Sequence, residues 1–365
     1  MRKVFAFLTE PASYTVDRNL KIYNPLGVDY CYMHGDSEAK NSIEEGNITI
    51  LNNLSIWQRI LYMHKVLIKY DIIIFNGYTG ILFLTLFTLN LWYRKALGID
   101  SDTQYREPES AIKKWIKRKY LNFIFGKKHV YGLAGGNYTH KELFLNYGMD
   151  KGRVLLMPMM VNNEIFYNDN FQTKPTGVFR FLYVGRLIKC KNIELMIQAF
   201  NKFNQLYPNS ELHIVGKGEM GEYLRNKYVS YKTVFFDGAK YGQELLQVYK
   251  DNHVLILPSS YEPWGLVVNE AMCAGLPVLV SEEVGARYDL VDGHETGLVF
   301  KSNDEQDLVE AMEKISQERV YKRYSVNAYK RMHEFWNYDL YEKCLNDFLS
   351  TLIPQHYYKI FFLST

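Results

Sequence analysis

The sequence predicts an α/β protein in which two doubly wound parallel sheets follow one another along the chain. Three observations lead to this fold class. The 365 residues exceed the usual size of one domain, strand and helix patterns alternate along the whole length, and a polar stretch at 162–177 interrupts the alternation before it restarts at Phe179. The predicted boundaries are 1–165 for the first domain, 166–178 for a linker, 179–335 for the second domain, and 336–365 for a C-terminal helix and tail.

Short apolar runs bounded by turn residues predict the strands of the first domain. They are Lys3–Leu8, Ile48–Leu51, Ile72–Phe75, Lys95–Ile99, Val130–Ala134 and Val154–Met157. The third run begins an uncharged stretch, 72–93, which is long enough to cross a bilayer. Turn chemistry at Asn76–Gly80 divides this stretch, so we expect a strand followed by a buried helix over Ile81–Tyr93 rather than a transmembrane helix.

The same pattern predicts the strands of the second domain, which are Phe179–Val184, Leu212–Val215, Val234–Phe236, Val254–Leu257, Val278–Val280 and Gly297–Phe300. A helix is expected over Ile193–Phe203, directly after the first of these strands. The last helix is expected at about 340–352. No element is predicted for the apolar tail at 357–363.

Composition excludes several classes of protein. The 43 Lys and Arg residues nearly balance the 40 Asp and Glu residues, which argues against nucleic acid as a partner because backbone binding needs clustered basic surface. The four cysteines form no CxxC pair, so we expect free thiols in a reducing compartment. The N-terminus lacks the apolar core of a signal peptide, and we therefore expect a cytoplasmic protein.

Residues 112–128 combine basic and aromatic side chains without an acidic one. The basic residues are Lys113, Lys114, Lys117, Arg118, Lys119, Lys127 and Lys128, and the aromatic ones are Trp115, Tyr120, Phe123 and Phe125. Such a helix suits a peripheral contact with anionic lipid at the inner face of the cytoplasmic membrane. An ordinary packed helix with a solvated basic face explains the composition equally well, and both interpretations stay open.

Two short motifs are weak signals. Gly216-Lys217-Gly218-Glu219-Met220-Gly221 matches the GxGxxG dinucleotide fingerprint and is followed by Asp237. However, the motif belongs to the second strand–helix unit of its domain, and its glutamates place negative charge near the proposed phosphates. Asp100-Ser101-Asp102 is a D-x-D sequence at a strand end, which either holds a divalent metal or caps the following helix. We favour neither an NAD site nor a metal site.

A stronger signal extends across the second domain. Gly185 to Asn192 follows a strand and opens a helix, so that Arg186 and Lys191 lie where a helix N-terminus already favours an anion. Further along, Glu262 and Glu270 are separated by seven residues. Gly265, between them, leaves the amides of the following helical turn uncovered for an oxyanion.

Together these segments resemble the nucleotide-binding half of family 4 glycosyltransferases, the group 1 type of retaining enzyme. The resemblance covers about 179–300. It rests on Tyr183-Val184-Gly185-Arg186-Leu187, Lys191-Asn192, Ile214-Val215-Gly216-Lys217-Gly218, Phe236-Asp237-Gly238, the segment from Glu262 to Glu270, and Gly275-Leu276-Pro277-Val278. It implies the GT-B fold, with two Rossmann-like domains facing a cleft and a C-terminal helix that crosses back to the first domain.

The resemblance also implies a role for each matching residue. Arg186 and Lys191 would bind the donor diphosphate, and Glu262 would accept hydrogen bonds from hydroxyls of the donor sugar. The amides of Gly265, Leu266 and Val267 would approach the sugar and phosphate, and Glu270 would bind the ribose hydroxyls. Gly185, Gly216 and Gly218 would line the donor site. With two cations in place no metal cofactor is expected.

The expected function is therefore retaining transfer of a sugar from a UDP- or GDP-sugar to a glycan. A lipid-linked acceptor in bacterial capsule or O-antigen synthesis is the expected setting. The first domain departs from the family pattern, since it lacks a glycine pair after the first strand and has Asp102 where many members have a histidine. Asp102 is thus the acceptor-side candidate. The alternatives are an epimerase or phosphorylase of the same fold, or a nucleotide-sugar-binding protein without turnover.

Overall fold

The computed structural model describes residues 2–35, 48–172 and 177–352. The chain divides into two compact units. Unit 1 comprises Met1–Met159 together with Tyr338–Thr365, and unit 2 comprises Met160–Asn337. The apolar tail at 357–363, for which no element is predicted, lies outside the described residues.

Unit 1 is built on a parallel six-stranded sheet. Its strands are β1 (Val4–Leu8), β2 (Val28–Tyr32), β3 (Ile72–Asn76), β4 (Ala96–Ser101), β5 (Val130–Ala134) and β6 (Val154–Leu156), in the spatial order β2-β1-β3-β4-β5-β6. Its helices are α1 (Ser13–Arg18), α2 (Ile56–Lys69), α3 (Gly80–Tyr93), α4 (Ala111–Phe125) and α5 (Thr139–Asn146). Side chains of α2 to α5 pack with those of the sheet into one core. Ile72–Phe75 of β3 are all buried, so both faces of this strand are covered, and this explains why β3 is apolar without alternation.

Unit 2 repeats the architecture. Its strands are β7 (Phe179–Val184), β8 (Ser210–Val215), β9 (Val234–Gly238), β10 (Val254–Leu257), β11 (Val278–Ser281) and β12 (Gly297–Phe300), in the order β12-β11-β10-β7-β8-β9. Its helices are α6 (Ile193–Leu206), α7 (Gly221–Lys227), α8 (Gly242–Asp251), α9 (Leu266–Cys273), α10 (Arg287–Leu290), α11 (Glu305–Ser316) and α12 (Glu318–Lys330). The last helix, α13 (Tyr338–Thr351), belongs to unit 1. The predicted fold class is confirmed.

One predicted strand is wrong. Ile48–Leu51 is not a strand, since Ile50 makes only a single bridge to Tyr32 and a short 3₁₀ turn begins at Leu51. The strand beside β1 is instead β2, which pairs with β1 over five residues from Val4↔Val28 to Leu8↔Tyr32. The other predicted strands are confirmed, with their ends within two residues of the observed ones.

The polar stretch predicted as a linker packs inside unit 2 over its described residues, and residues 173–176 lie outside them. Asn163 donates its side-chain amide to the carbonyls of Met332, at 2.8 Å, and Trp336. Asn168 does the same to the carbonyl of Ala274. Buried amides that satisfy backbone carbonyls are compatible with a packed interior, so polarity alone misplaces the boundary, which lies at Met160 and Asn337.

Two further sequence expectations meet the structure here. The described helices include none that is both long and apolar enough to cross a membrane, and the stretch 72–93 forms β3 and α3 as predicted. All four cysteines are free thiols, with Cys190 exposed and the other three buried.

Candidate functional site

The predicted site residues of unit 2 gather at the carboxyl ends of its central strands. In the observed order, β7 is the first strand of the unit along the chain and lies beside β10, so the direction of strand addition reverses between them. Loops after these strands diverge and leave a crevice at such a switch point. The loop after β7 and the loop after β10 are joined there, since the amide of Ser260 donates to the carbonyl of Cys190 at 2.8 Å.

The loop after β7 carries the two predicted cations in different states. The side chain of Arg186 is exposed, and its backbone carbonyl accepts a hydrogen bond of 2.9 Å from the hydroxyl of Tyr183. Lys191 ends the loop and forms an ion pair through its Nζ with Oε2 of Glu262. Only 13% of the Lys191 side chain and 14% of the Glu262 side chain are exposed. Lys191 and Glu262, which were each predicted as site residues, are thus in direct contact.

Glu262 is held by the loop after β11 as well as by Lys191. Its backbone amide donates to the carbonyl of Glu283, and its carbonyl accepts from the amide of Gly285 at 3.0 Å. Ser259 contacts the same carboxylate oxygen as Lys191, at 3.4 Å. These contacts fix the Glu262 carboxylate at the strand-end edge of the sheet, where a group from a ligand can reach it.

Gly265 begins α9 and leaves its first amides open. Its backbone has φ of +98°, which favours glycine. A Cβ there would come within 2.9 Å of Leu257 and 3.2 Å of the Glu262 side chain. No side chain caps the helix, and the amides of Leu266 and Val267 belong to the first turn, whose N–H groups have no partner inside the helix. This end of α9 is suited to bind an anion.

Glu270 lies within α9 and is held by α8. The hydroxyl of Tyr249, which is buried, donates a hydrogen bond of 2.6 Å to Oε2 of Glu270. Burial raises the pKa of Glu270 to about 7, although the hydrogen bond from Tyr249 acts in the opposite direction. The carboxylate is therefore poised to change its charge near neutral pH. Tyr249 was not predicted, and its position in the apolar pattern of α8 gives no signal for it.

The GxGxxG segment has a packing role. A Cβ on Gly216 would lie only 1.8 Å from the carbonyl oxygen of Gly185, and a Cβ on Gly218 would lie 2.5 Å from the carbonyl oxygen of Leu187. The two loops therefore pack backbone to backbone. Asp237, the acidic residue expected to bind a dinucleotide ribose, instead accepts a contact of 2.9 Å from Nδ1 of His213. Close backbone packing between the two loops therefore explains these glycines without an NAD site.

The acceptor-side candidate Asp102 directly follows β4 in unit 1. It is partly buried beside Gly135, where a Cβ would meet its Cα at 3.1 Å. Asp100, at the end of the same strand, is buried and accepts a hydrogen bond of 2.7 Å from Asn76. Burial and the neighbouring Asp102 raise the pKa of Asp100 to about 6. The Arg18 guanidinium acts in the opposite direction and limits the rise. Sequence analysis missed Arg18 and Asn76, since neither belongs to a motif.

Within the described residues, no group of three or more His, Cys, Asp and Glu side chains has the arrangement of a metal site. A cavity of about 480 Å³ lies behind the loop after β7 and is lined by Ile188, Lys189, Cys190, Met220 and Ser260, among others. None of the four charged residues predicted to bind the donor lines this cavity. The candidate site is thus an open strand-end edge.

Part of the chain matches a known protein family. Residues 167–331 match the family model described as glycosyl transferases group 1. This segment of the chain is similar to that family. All the predicted donor-site residues, from Gly185 to Glu270, lie inside the segment that matches the group 1 glycosyl transferases.

Two curated relatives illustrate the match. An uncharacterised glycosyltransferase of Methanocaldococcus jannaschii is 34% identical over 166 residues, covering 44% of this chain and 40% of the relative. A probable sucrose-phosphate synthase of Thermosipho melanesiensis is 28% identical over 267 residues, covering 69% of this chain and 59% of the relative. The chain thus spans between 40% and 59% of the length of these relatives.

Among solved structures, Anabaena HepE in complex with UDP superposes with a TM-score of 0.76 at 15% identity, covering 96% of this chain and all of HepE. At this identity the likeness shows the fold alone, which is the GT-B fold.

Proposed function

We propose that the chain transfers a sugar from a nucleoside diphosphate sugar to a glycan acceptor. The observation that carries the proposal is the set of groups at the strand-end edge of unit 2. An exposed guanidinium (Arg186), the ion pair of Lys191 with Glu262, and the open first turn of α9 all lie on loops that follow β7 and β10. A diphosphate needs cations and backbone amides as partners, and the hydroxyls of a sugar need a carboxylate that accepts hydrogen bonds.

The proposed chemistry follows from where charge develops. Breaking the bond between sugar and phosphate places negative charge on the departing diphosphate. Arg186, Lys191 and the amides at the start of α9 would stabilise that charge as fixed donors. The phosphate would replace Glu262 as the ion-pair partner of Lys191. Hydroxyls of the sugar would then donate hydrogen bonds to the released Glu262 carboxylate.

Glu270 completes the proposed donor contacts. Its Oε2 is taken by Tyr249, and the carboxylate is proposed to accept from the ribose hydroxyls. In its charged form it has lone pairs enough for both partners. We further propose that the configuration of the sugar is retained without a covalent intermediate on Glu262, since the departing phosphate can take the acceptor proton. Asp102 is proposed as the acceptor-side residue, and no metal is invoked.

The identity of the donor base is proposed by likeness. HepE, which shares the fold, was solved with UDP, and this supports UDP ahead of GDP. For the acceptor we propose a lipid-linked glycan of a bacterial polysaccharide.

The outer face of α4 supports a membrane-bound acceptor. Four apolar side chains on this helix are more than half exposed, namely Ile112, Trp115, Ile116 and Phe123. They lie between runs of basic residues, while Leu121, Ile124 and Phe125 are buried in the core. An apolar and basic surface of this kind suits the interface of an anionic bilayer at the cytoplasmic side.

The first experiment is thermal unfolding with UDP, GDP, CMP and NAD, each with and without EDTA. We expect stabilisation by UDP or GDP that persists in EDTA, because a ligand that binds the native state raises stability by mass action. Arg186→Ala should remove the stabilisation, whereas Lys189→Ala, an exposed lysine of the same loop, should leave it. Stabilisation by NAD alone would contradict the proposal. Dependence on a divalent metal would contradict its metal-free form.

A further inference from the structure

A second cavity, of about 570 Å³, lies in unit 1 at the edge where its strands begin. Ala96, at the start of β4, lines the cavity, as do His129 and Tyr131 at the start of β5. Asp102 follows the other end of β4, so this cavity lies at the opposite edge of the sheet from the acceptor-side candidate. The Arg, Lys and His side chains of the lining are Arg2, Arg94, Lys127, Lys128 and His129, and the lining contains no acidic side chain.

The described residues supply no counter-charge to the Arg and Lys side chains of this lining. Across the described ranges, no ion pair joins any of the five side chains to a carboxylate. Asp71, near the start of β3, is engaged elsewhere, because it accepts the amide of Lys3 at 3.1 Å and pairs with Lys95 at 3.9 Å. Burial and the neighbouring cations Arg94, Lys127 and Arg153 lower the pKa of His129, and no carboxylate opposes them. Like charges brought together without a counter-charge repel one another.

Two details indicate that the cavity is shaped for a ligand. Nε2 of His129 is buried and has no hydrogen-bond partner among the described residues, a state that folded proteins seldom leave uncompensated. Arg94 ends α3 in the left-handed conformation, with φ of +50°. Glycine usually occupies that position because a Cβ makes it unfavourable. Here the strained position holds an arginine that lines the cavity.

We propose that this cavity binds a phosphate group. Guanidinium and ammonium groups are the preferred partners of phosphate oxygens. The phosphate can belong to a free anion or to a lipid headgroup. Exposed aromatics nearby suit the second source, because Trp92 is 87% exposed next to Leu91 of the lining, and Nζ of Lys127 lies 4.1 Å from the ring centre of Phe123. The proposal uses no residue of the donor site.

Arg94→Gly gives a sharp test, because glycine accepts the left-handed backbone and removes only the side chain. The variant should keep the wild-type melting temperature and the stabilisation by UDP. Binding is measured with two probes, inorganic phosphate by ³¹P NMR titration, and phosphatidylcholine vesicles with and without phosphatidic acid by cosedimentation. Lys330→Ala, which removes an exposed charge from unit 2, is the matched control.

We expect Arg94→Gly and Lys127→Ala to bind at least one probe about tenfold more weakly than wild type, as befits the loss of one charge-assisted hydrogen bond. Loss confined to the vesicles identifies a lipid phosphate, and loss of inorganic phosphate binding identifies a free anion. The proposal is overturned if wild type binds neither probe, or if Arg94→Gly binds both as well as Lys330→Ala does. Because UDP stabilisation is measured on the same samples, failure here is distinct from failure of the donor site.

Discussion

The hydroxyl of Tyr249 donates a hydrogen bond of 2.6 Å to Oε2 of Glu270, and this contact joins α8 to α9 beneath the candidate donor site. Burial raises the pKa of Glu270 to about 7 and also raises that of Tyr249. The hydroxyl is therefore the donor at any pH near neutral. A carboxylate proposed to bind ribose is thus titratable in the physiological range, and its protonation depends on one neighbouring side chain.

Donor binding should therefore depend on pH through Glu270. Below pH about 7 the carboxyl is protonated and accepts fewer hydrogen bonds, so UDP affinity should fall as the pH is lowered through 7. Tyr249→Phe removes the hydrogen bond that favours the charged form, and the midpoint should move to higher pH. Titration calorimetry with UDP across this range measures both midpoints. Glu270→Gln should bind weakly with no step near 7, and a wild-type step that survives in it would assign the titration elsewhere.

The ion pair of Lys191 with Glu262 allows the two proposed roles to be separated. Lys191→Met should weaken UDP binding, because it removes a phosphate partner and leaves a mostly buried carboxylate uncompensated. Glu262→Gln should retain UDP but lower turnover of the UDP-sugar about 100-fold, the scale of losing one group that stabilises a transition state. Binding and turnover are measured separately. Unchanged turnover in Glu262→Gln would remove Glu262 from the site.

Gly216, directly after β8, and Gly238, at the end of β9, should differ sharply in their tolerance of substitution. Gly216→Ala would place a Cβ 1.8 Å from the carbonyl oxygen of Gly185, and we expect a loss of about 3 kcal/mol or more in unfolding free energy. Gly238→Ala has a positive φ of 73° but no atom within 4 Å of the new Cβ, so its cost should be about 1 kcal/mol. Urea unfolding of both variants tests the comparison. Equal losses would mean that backbone strain, and not packing between the loops, explains Gly216.

The sequence was sufficient for the alternation of strands and helices, because a parallel sheet covered on both faces needs continuous apolar runs such as that of β3. It was insufficient for β2. Val28–Tyr32 includes the exposed Asp29, whereas Ile48–Leu51 looks more like a strand by composition. Only the register with β1, which requires the folded chain, selects the first segment.

The candidate site shows the same division. Arg186, Lys191, Glu262 and Glu270 could be predicted because they recur at fixed spacing in a family pattern. Tyr249 could not, since its role comes from the packing of α8 on α9 and from no motif. The basic cavity of unit 1 is assembled from chain positions as distant as Arg2 and His129, and no linear pattern brings these together.

Membrane binding through α4 should depend on its exposed tryptophan. Trp115 is 63% exposed on a helix with a strongly basic surface, and such a ring is expected to insert at the lipid interface. Trp115→Ala should weaken cosedimentation with anionic vesicles about tenfold, consistent with removal of a large apolar side chain from the interface. Phe335→Ala, which removes a similarly exposed ring from unit 2, is the control. Equal effects of the two variants would argue against a specific surface.

The stability of unit 2 should depend on pH through His213. Its Nδ1 lies 2.9 Å from Asp237 and its Nε2 lies 3.3 Å from Glu211. Burial acts to lower the pKa of His213, but these two carboxylates outweigh it and raise the pKa above 6.5. Glu211 also pairs with Arg180 at 2.8 Å, and Lys240 and Asp251 line the same groove. The imidazole is thus charged in the folded protein over a wider pH range than in the unfolded chain.

The sign of the effect follows from proton linkage. A group whose pKa is raised by folding stabilises the native state fully below its unfolded pKa of 6.5, and this stabilisation is lost as the pH rises through the folded pKa. The titration of Glu270 also changes the unfolding free energy between pH 4.5 and about 7. The effect of His213 is therefore measured as the difference in unfolding free energy between wild type and a His213 variant. The unfolding free energy of wild type minus that of His213→Gln should be largest below pH 6.5 and should decline above it. A difference that is constant with pH would show that His213 acts by packing against Phe235, with which it stacks at 5.0 Å, and not by its charge.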